Sequence, residues 1–566
     1  MKMPIDNRMF SLPDPVNAHL AALAAEWTSG GKVGRFWARD KTLWTNTDED
    51  QWMGWLDIVG HQLEHRKRFE SIAHDVKTRG FRDAALLGMG GSSLCPEVLA
   101  VTFGHQPGFP RLHILDATDP AQVSRIARLA DPSEALFIVA SKSGSTLEPN
   151  IFKQYFYQRA AQDGSRFIAI TDPGSKMQAA AEAANFDRIC FGMPSIGGRY
   201  SALSDFGMVP AAVLGIDTGK FLTHAQRMVE ACREPDALKN PGISLGLALG
   251  ALQQAGRDKM TIIASPAIHD LGAWLEQLVA ESTGKLGKAI IPVDRESLAA
   301  PHAYRQDRVF VYVRYSPAPN PEQDSAVAAL AAAGQPVIRI ELHDLYDLGA
   351  EFFRWEVATA VAGSVMGINP FNQPDVEAAK IATRELTNAY EASGALPSET
   401  PRFTSDGLRF FTDDRNAAQL SGRNAAEYLR SHLSRIEGGK DYVALLAYID
   451  MTAGHEHALQ SLRTAIRDHT GAATCLGFGP RFLHSTGQAY KGGPNTGVIL
   501  QITCDDRQDV PIPGQKFSFG IVKQAQAAGD FAVLTERGRR ALRVHLGTDV
   551  PAGLRTLESA IREALN

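Results

Sequence analysis

Apolar residues along the chain follow two different periods, and the change between them divides the sequence. Through about residue 75, apolar positions recur three and four residues apart in VNAHLAALAAEW and WMGWLDIVGHQL, which predicts helices. From Phe81 onward, short apolar runs alternate with amphipathic segments of helical length. This alternation indicates βαβ units with parallel strands. We therefore expect a helical lead-in over residues 1–75, followed by α/β structure.

Two series of apolar runs predict two α/β domains. The first series is AALLGMG, LHILDAT, ALFIVAS and RFIAITD, and the second is MTIIASP, VFVYVRY and PVIRIEL. Three later runs, YVALLAY, ATCLGFG and GVILQIT, continue the alternation and are assigned to the second domain or to an extension of it. The predicted domains are residues 76–240 and residues 241–566.

Composition narrows the class of protein. A chain of 566 residues with 44% hydrophobic and 21% charged residues can bury a large core, and its size is that of an enzyme. The net charge of -5 provides no bulk attraction to nucleic acid or to an anionic membrane, so an anionic ligand must be held by a local site. We expect neither nucleic acid nor membrane as a partner.

Cysteine usage and apolar run lengths indicate the compartment. The five cysteines form no CxxC pair, which favours a reducing compartment and argues against structural zinc. The N-terminal MKMPIDNRMF has no apolar signal region, and no segment approaches the roughly 18 apolar residues that span a bilayer. We therefore expect a soluble, cytoplasmic protein.

Ligands of open parallel sheets collect beyond the carboxyl ends of the strands, so residues that follow the apolar runs are candidate site residues. The segment IVASKSGSTLEPN places Ser141, Lys142, Ser143 and Thr146 at such a position. Hydroxyl groups, a cation and a helix N-terminus together suit a phosphate. The alternative is an N-cap with Glu148 closing a capping box, but that needs only one hydroxyl. The surplus of donors favours phosphate, although the motif is not a nucleotide P-loop.

Two glycine-rich turns are further candidates. LLGMGGSSL brings glycines and Ser92 to a strand-to-helix turn, and GGRYS places Gly198 beside Arg199. Glycines let the backbone approach a sugar closely, and a guanidinium could stabilise a substrate that becomes negatively charged. A tight packing turn and a surface arginine are the ordinary alternatives.

A helix in the middle of the chain carries a candidate proton shuttle. WLEQLVAESTGKLGK predicts a helix that ends near Glu281, with Gln277 four residues earlier and Gly284 as its C-terminal stop. A carboxylate in this apolar context could have a raised pKa and act as an acid and base. A solvated residue at a helix end is the alternative.

Two later segments carry a lysine and a histidine. INPFNQPDVEAAK places Gln373 before a helix that bears Lys380, and RFLHSTGQAYKGGPNTG places His484 in a loop rich in hydrogen-bond donors. Such a histidine is suited to general acid-base catalysis on a sugar hydroxyl. The ordinary interpretation of Lys380 is a surface lysine.

Taken together, these segments resemble the glucose-6-phosphate isomerase family over roughly residues 80–500. LGMGGSSL is similar to the family's GIGGS turn, SKSGST to its phosphate loop, GGRYS to its arginine turn, AESTGK to its ESNGK segment, and NPFNQPDVEAAK to its final helix. FLHSTGQAYKGGPNTG is most similar to the isomerase half of proteins fused to transaldolase, although no transaldolase barrel is evident. The resemblance implies two sugar-isomerase (SIS) type α-β-α sandwich domains with mainly parallel sheets.

The resemblance also implies roles for single residues. Glu281 would carry a proton between C2 and C1 of the open-chain sugar through a cis-enediolate that Arg199 stabilises, and His484 and Lys380 would assist ring opening. The residues that would bind substrate are Ser92, Ser141, Lys142, Ser143, Thr146, Gly198, Gln277 and Gln373. The resemblance implies glucose 6-phosphate and fructose 6-phosphate as substrates, no metal, no cofactor and a homodimer.

The chain departs from the family pattern in two places. The family histidine lies between the glutamate and the lysine, whereas His484 follows Lys380. SGS also replaces the TFT that many of these isomerases carry in the phosphate loop, which is nearer to the generic sugar-phosphate-binding domain. The sequence leaves open whether mannose 6-phosphate is accepted too, because that depends on the shape of the pocket around C2.

The sequence also allows two other functions. GMGGSS approximates the GxGxxG of dinucleotide-dependent dehydrogenases, and Asp116 ends the next predicted strand as a ribose-binding acid does, but Ser93 replaces the third glycine. A non-catalytic sugar-phosphate sensor could use the same α/β domains for binding alone.

Overall fold

The computed structural model describes residues 7–566, and its strands form three sheets. Most neighbouring strands are parallel and helices connect them, so the predicted α/β class with mainly parallel sheets is confirmed. The first six residues of the predicted lead-in lie outside the described residues.

Helices dominate the described part of the lead-in, but it begins with a strand. The elements are β1 (Arg8–Ser11), α1 (Asp14–Ser29), α2 (Lys32–Trp37), α3 (Ile58–Glu64) and α4 (Lys67–Arg79). Strand β1 pairs antiparallel with a strand of the second sheet more than 300 residues later. With only four residues of mixed polarity it carries too short a pattern to be recognised in the sequence.

The first sheet is entirely parallel. Its strands are β2 (Asp83–Leu87), β3 (Arg111–Leu115), β4 (Leu136–Ala140), β5 (Phe167–Thr171) and β6 (Arg188–Phe191), in the order β3-β2-β4-β5-β6. All residues of β2, β4 and β5 are buried, because helices cover both faces. The chain runs from β2 to β3 and then to β4 on the other side of β2, which opens a crevice beyond the carboxyl ends of β2 and β4.

Helices join the strands of the first sheet and lead to the second. Those within the sheet are α5 (Leu94–Phe103), α6 (Pro120–Leu129), α7 (Leu147–Arg159) and α8 (Lys176–Ala183), and those that follow are α9 (Asp205–Val213), α10 (Thr218–Ala231) and α11 (Pro241–Gln254). Helix α11 is buried over most of its length and packs against the helix Asp347–Met366 of the next unit.

The second sheet repeats the same winding. Its strands are β7 (Lys259–Ala264), β8 (Ile291–Val293), β9 (Arg308–Tyr315) and β10 (Val337–Leu342), in the order β1-β10-β9-β7-β8. Its helices are α12 (Leu271–Thr283), α13 (Pro321–Ala332), α14 (Asp347–Met366) and α15 (Pro374–Ser393). Helix α12 ends at the predicted stop, since Gly284 caps it.

The last three predicted strands form a third sheet with strands that the sequence analysis did not identify. The strands are β11 (Phe403–Ser405), β12 (Leu408–Phe411), β13 (Tyr442–Tyr448), β14 (Ala473–Phe478), β15 (Gly497–Thr503) and β16 (Arg540–His545), in the order β11-β12-β16-β15-β13-β14. The helices are α16 (Asp414–Ala417), α17 (Ala425–Leu433), α18 (Ala453–Thr470), α19 (Gly487–Gly492), α20 (Phe519–Glu536) and α21 (Val550–Leu565). This sheet occupies the region predicted to belong to the second domain or to an extension of it, and the division into two domains stays a prediction.

Candidate active site

One cavity of about 410 Å³ lies in the crevice at the carboxyl ends of β2 and β4. All twelve site residues predicted from the sequence line it, although they come from segments almost 400 residues apart. They are Ser92, Ser141, Lys142, Ser143, Thr146, Gly198, Arg199, Gln277, Glu281, Gln373, Lys380 and His484. The structure thus brings the whole predicted set together, while the role of each residue is a separate question.

The loop after β4 presents free hydroxyls to the cavity. Ser141 Oγ is buried and has no hydrogen-bond partner within residues 7–566. Thr146 stands at the N-cap of α7, but its side chain makes no capping hydrogen bond. Gly144 has a φ of +66°, which favours glycine, and a Cβ there would lie 2.2 Å from the backbone nitrogen of Met177. The loop is therefore built around a tight turn that leaves the hydroxyls of Ser141 and Thr146 available to a ligand, while Ser143 Oγ shares a hydrogen bond with Ser145 Oγ at 2.6 Å.

Lys142 is held at the edge of this loop. Its Nζ pairs with the carboxylate of Asp172 and donates to the carbonyl oxygen of Pro194 at 3.0 Å. Burial raises the pKa of Asp172, and the lysine counteracts this. The cation is thus fixed beside the hydroxyls, where it adds positive potential for an anion.

The two glycine-rich turns touch each other. Residues Gly90–Ser92 and Gly198–Tyr200 each form a short 3-10 helix. A Cβ on Gly91 would lie only 1.9 Å from the carbonyl oxygen of Gly198, so no other residue fits. This close approach forms one wall of the cavity and explains why glycine is needed at that position.

A carboxylate and a guanidinium face each other in the cavity. Arg199 Nη1 lies 3.1 Å from Glu281 Oε1, and the side chains are 2% and 10% exposed. Gln277 Nε2 donates to the other oxygen of Glu281 at 3.1 Å. The Glu281 carboxylate is therefore shielded from solvent, and contacts with Arg199 and Gln277 orient its two oxygens. It is not a solvated residue at a helix end.

The guanidinium of Arg199 is fixed by four further acceptors. It donates to Ser282 Oγ at 2.8 Å, to Gln373 Oε1 at 3.0 Å, and to the carbonyl oxygens of Pro370 at 2.7 Å and Asn372 at 3.0 Å. Arginine suits this place because its planar fork offers five donors in fixed directions. The positive charge is thereby positioned before any substrate binds.

His484 reaches the cavity from the third sheet. It ends a short 3-10 helix, Arg481–His484, and its Nε2 lies 3.1 Å from Glu148 Oε1. Gln277 Nε2 also donates to the His484 carbonyl oxygen at 2.7 Å, which ties this segment to the helix of Glu281.

Glu148 is a site residue that the sequence analysis did not recognise. It closes no capping box; instead it contacts His484 and accepts a hydrogen bond from Gln526 Nε2 at 2.6 Å. Burial by itself raises the pKa of Glu148, but the charge of His484 and the hydrogen bond to it have the larger combined effect. The pKa of Glu148 therefore lies below its ordinary value. No local pattern could have revealed this pair, since 336 residues separate its members.

Lys380 is the most exposed of the predicted catalytic side chains. It lies on α15 at the cavity wall, its side chain is 39% exposed, and its Nζ lies 3.8 Å from Glu377. Asp48 and Trp52 of the lead-in also line the cavity and were not predicted.

Asp116 does not have the free carboxylate that a ribose would need. It is 3% exposed, and one of its oxygens accepts from Ser93 Oγ at 3.0 Å and from Arg481 Nε at 2.7 Å. The dehydrogenase alternative is therefore not favoured.

The described residues contain neither a metal-binding cluster nor a membrane-spanning helix. No group of three or more histidine, cysteine, aspartate or glutamate side chains within residues 7–566 is arranged to hold a metal ion. In the same part of the chain, every helix is too short or too polar to cross a bilayer.

Comparison with known sequences identifies relatives of the chain. The family model of phosphoglucose isomerase matches residues 66–297. A glucose-6-phosphate isomerase of Rubrobacter xylanophilus is 32% identical over 373 residues, which covers 56% of this chain and 86% of the relative. That of Prochlorococcus marinus is 26% identical over 463 residues, which covers 74% of this chain and 85% of the relative.

Two solved structures share the fold. A hypothetical protein from Thermus thermophilus superposes with a TM-score of 0.55 at 24% identity and covers 67% of this chain and 99% of its own. A glucose-6-phosphate isomerase from Chlamydia trachomatis gives a TM-score of 0.52 at 21% identity and covers 58% of this chain and 74% of its own.

Proposed function

The chain belongs to the glucose-6-phosphate isomerase family, and from this premise we propose that it interconverts glucose 6-phosphate and fructose 6-phosphate. The observation that carries the proposal is the shielded pair of Glu281 and Arg199, 3.1 Å apart in a cavity that the hydroxyl loop also lines. A carboxylate with a fixed cation is what an aldose-ketose isomerase needs, since a proton leaves one carbon while negative charge grows on the neighbouring oxygens.

Glu281 and Arg199 divide the isomerisation between them. Glu281 removes the proton from C2 of the open-chain aldose and returns it to C1. The hydroxyl proton passes from O2 to O1, so that the carbonyl moves from C1 to C2. The intermediate is a cis-enediolate, whose negative charge the guanidinium of Arg199 stabilises. Because Arg199 is already held by its four neighbouring acceptors, it need not reorganise as that charge forms.

His484 and Glu148 act on the cyclic sugar before isomerisation. The imidazole gives a proton to the ring oxygen as its bond to the anomeric carbon breaks, while the anomeric hydroxyl releases its proton to solvent and becomes the carbonyl. The Glu148 carboxylate orients the imidazole through the contact at 3.1 Å. Lys380, on the same cavity wall, supports this step with its charge.

The other lining residues hold the substrate in place. The hydroxyls of Ser141, Ser143 and Thr146, with Lys142, bind the phosphate at the N-terminus of α7. Ser92 and Gly198 line the sugar, and Gln277 and Gln373 orient it.

The wider assignment follows the family. We propose that the first and second sheets are the two SIS-type domains, that the third sheet is the extension, and that the chain works as a cytoplasmic homodimer. The segment FLHSTGQAYKGGPNTG supports a finer likeness to the isomerase half of transaldolase fusion proteins.

Product analysis tests the function directly. The protein is incubated with fructose 6-phosphate in deuterium oxide, with a chelator and without nicotinamide, and the products are identified by NMR. We expect glucose 6-phosphate with deuterium at C2, because the carboxylate exchanges its proton with solvent. Folded protein that binds fructose 6-phosphate but yields no aldose would instead be a sugar-phosphate sensor.

The hydroxyl loop is expected to control the affinity for phosphate. In a Ser143→Ala, Thr146→Val double variant, loss of two hydrogen bonds to a charged group should raise KM for fructose 6-phosphate by about tenfold or more, since each is worth about 1.5–3 kcal/mol. Steady-state kinetics measures the change. Ser133→Ala is the control, because Ser133 lies just before β4, is exposed and does not line the cavity; an equal effect of the control would contradict the assignment.

Glu148→Gln is expected to lower kcat for fructose 6-phosphate by about tenfold or more, because the amide no longer holds the imidazole through a charge-assisted contact. The pH dependence of stability gives a second measurement. A carboxyl group whose pKa is lower in the folded state stabilises the fold above its ordinary pKa of 4.5, and this contribution is lost as the pH falls through the folded value.

The free energy of unfolding should therefore decrease more steeply below pH 4.5 in the wild-type protein than in Glu148→Gln. Urea titrations at several pH values measure this difference. Parallel curves for the two proteins, or an unchanged kcat in the variant, would contradict the role of Glu148.

A further inference from the structure

Arg481 stands at the start of the single helical turn that ends in His484. This 3-10 helix, Arg481–His484, follows β14 of the third sheet. Residues three apart in such a helix lie on the same side of it. A contact that fixes the Arg481 side chain therefore also fixes the turn from which the histidine extends.

Arg481 is anchored on the first sheet. Its Nε donates to Asp116 Oδ2 at 2.7 Å, and its Nη2 pairs with Glu97. Asp116 directly follows β3, and Glu97 lies in α5. The side chains of Arg481 and Asp116 are only 15% and 4% exposed, so water and salt screen their interaction weakly.

The same carboxylate also supports the glycine-rich turn of the cavity. Asp116 Oδ2 accepts from Ser93 Oγ at 3.0 Å, and Ser93 directly follows the turn Gly90–Ser92. The His484 carbonyl oxygen would lie 2.9 Å from a Cβ on Gly90, so the histidine segment packs tightly on this turn. Asp116 is thus a shared anchor for two adjoining walls of the site.

Two residues of α20 hold the same stretch of the first sheet. Gln526 Oε1 accepts from Thr118 Oγ1 at 2.6 Å, and Lys523 Nζ donates to Asp119 Oδ2 at 2.9 Å. With Arg481 on Asp116, three of the four residues in the segment 116–119 contact the third sheet's elements through side chains. This segment is where the third sheet docks beside the cavity.

We propose that Arg481 is a positioning residue for ring opening: its ion pair with Asp116 docks the histidine turn on the first sheet and so places His484 at the ring oxygen of the cyclic substrate. The inference rests on the proposed isomerase function and deepens it. Arg481 contacts neither Glu281 nor Arg199, and the ion pair of these two residues does not involve the histidine turn. Gln277 donates to both Glu281 and the His484 carbonyl oxygen, so transfer of the proton between C2 and C1 should depend on this anchor less than ring opening does.

The test compares the rates of reaction on two substrates, in the wild-type protein and in the Arg481→Gln variant. Fructose 6-phosphate must open its ring, whereas erythrose 4-phosphate cannot close a five-membered ring, because its O4 carries the phosphate. We expect kcat for fructose 6-phosphate to fall by about tenfold or more, since small displacements of a catalytic group are costly. Solvent deuterium exchange at C2 of erythrose 4-phosphate should change by less than about threefold, because Glu281 and Arg199 remain in place.

Two further variants make the result specific. Arg481→Lys keeps a cation beside Asp116, so its loss of kcat for fructose 6-phosphate should be smaller but equally selective. If Arg481→Gln does not fold, this variant provides the test. Arg467→Gln is the matched control, because Arg467 is also a buried arginine near the third sheet, 2% exposed, but donates to the Ser297 carbonyl oxygen at 2.6 Å, away from the cavity. It should leave the ratio of the two rates unchanged.

The outcomes separate the inference from the proposed function. Equal losses on both substrates in Arg481→Gln, or no loss on either, would overturn the positioning role while the wild-type protein remains an isomerase. A wild-type protein that fails to isomerise fructose 6-phosphate would instead overturn the proposed function.

Discussion

Glu281→Gln should lower kcat for fructose 6-phosphate by about 10³-fold, equivalent to about 4 kcal/mol in the activation barrier, while KM changes little. The amide has nearly the same shape as the carboxylate and still fills the space beside Arg199, but it cannot accept the proton from carbon. Steady-state kinetics, together with loss of deuterium incorporation at C2, measures the effect.

A neighbouring glutamate on the same helix provides the control. Glu276 lies on α12 but lines another cavity, and burial raises its pKa to about 8. Because burial disfavours the charged form of this group, Glu276→Gln substitutes an amide of nearly the same shape at little electrostatic cost. This variant should keep nearly wild-type activity, and a Glu281→Gln enzyme as active as this control would remove the proposed base.

Arg199→Lys is expected to lower kcat by about 10²-fold, although the positive charge is kept. A lysine ammonium has three donors and no planar fork, so it cannot reach Ser282, Gln373 and Glu281 together. The cation is then no longer fixed where the enediolate forms. The kcat for fructose 6-phosphate and the affinity for a stable enediolate analogue should decrease in parallel.

Another buried arginine serves as the comparison for Arg199. Arg308 is fully buried and pairs with Glu296 at 2.9 Å, but does not line the active cavity. Arg308→Lys should reduce the free energy of unfolding with little effect on kcat of the folded fraction. If Arg199→Lys likewise lost only stability, its assigned role in charge stabilisation would be wrong.

The sequence predicted the strands whose pattern is local and continuous. The run LFIVA of β4 is buried at every position, as are those of β2 and β13, so an unbroken apolar run was a sufficient signal. Strand β16, with the sequence RALRVH, was missed because its arginines interrupt the run and find ion-pair partners elsewhere in the fold. The short strands β1 and β11 were missed because three or four residues carry no period.

The candidate site shows the same division between local and distant signals. Ser141 through Thr146 were recognised because adjacent residues form the loop, and Glu281 because the helix and its stop lie in one segment. Glu148 and Arg481 were not, since each acquires its partner only when the third sheet docks on the first. Residue type and spacing cannot encode such a pairing without the fold.

The origin of His484 in the third sheet has a consequence for protein synthesis. The segments that contribute the hydroxyl loop, Arg199, Glu281 and Lys380 all leave the ribosome well before the segment that carries the histidine. Since domains tend to fold as units while the nascent chain grows, a growing polypeptide can form the hydroxyl loop early but acquires the proposed ring-opening histidine only after β14 of the third sheet has been synthesised.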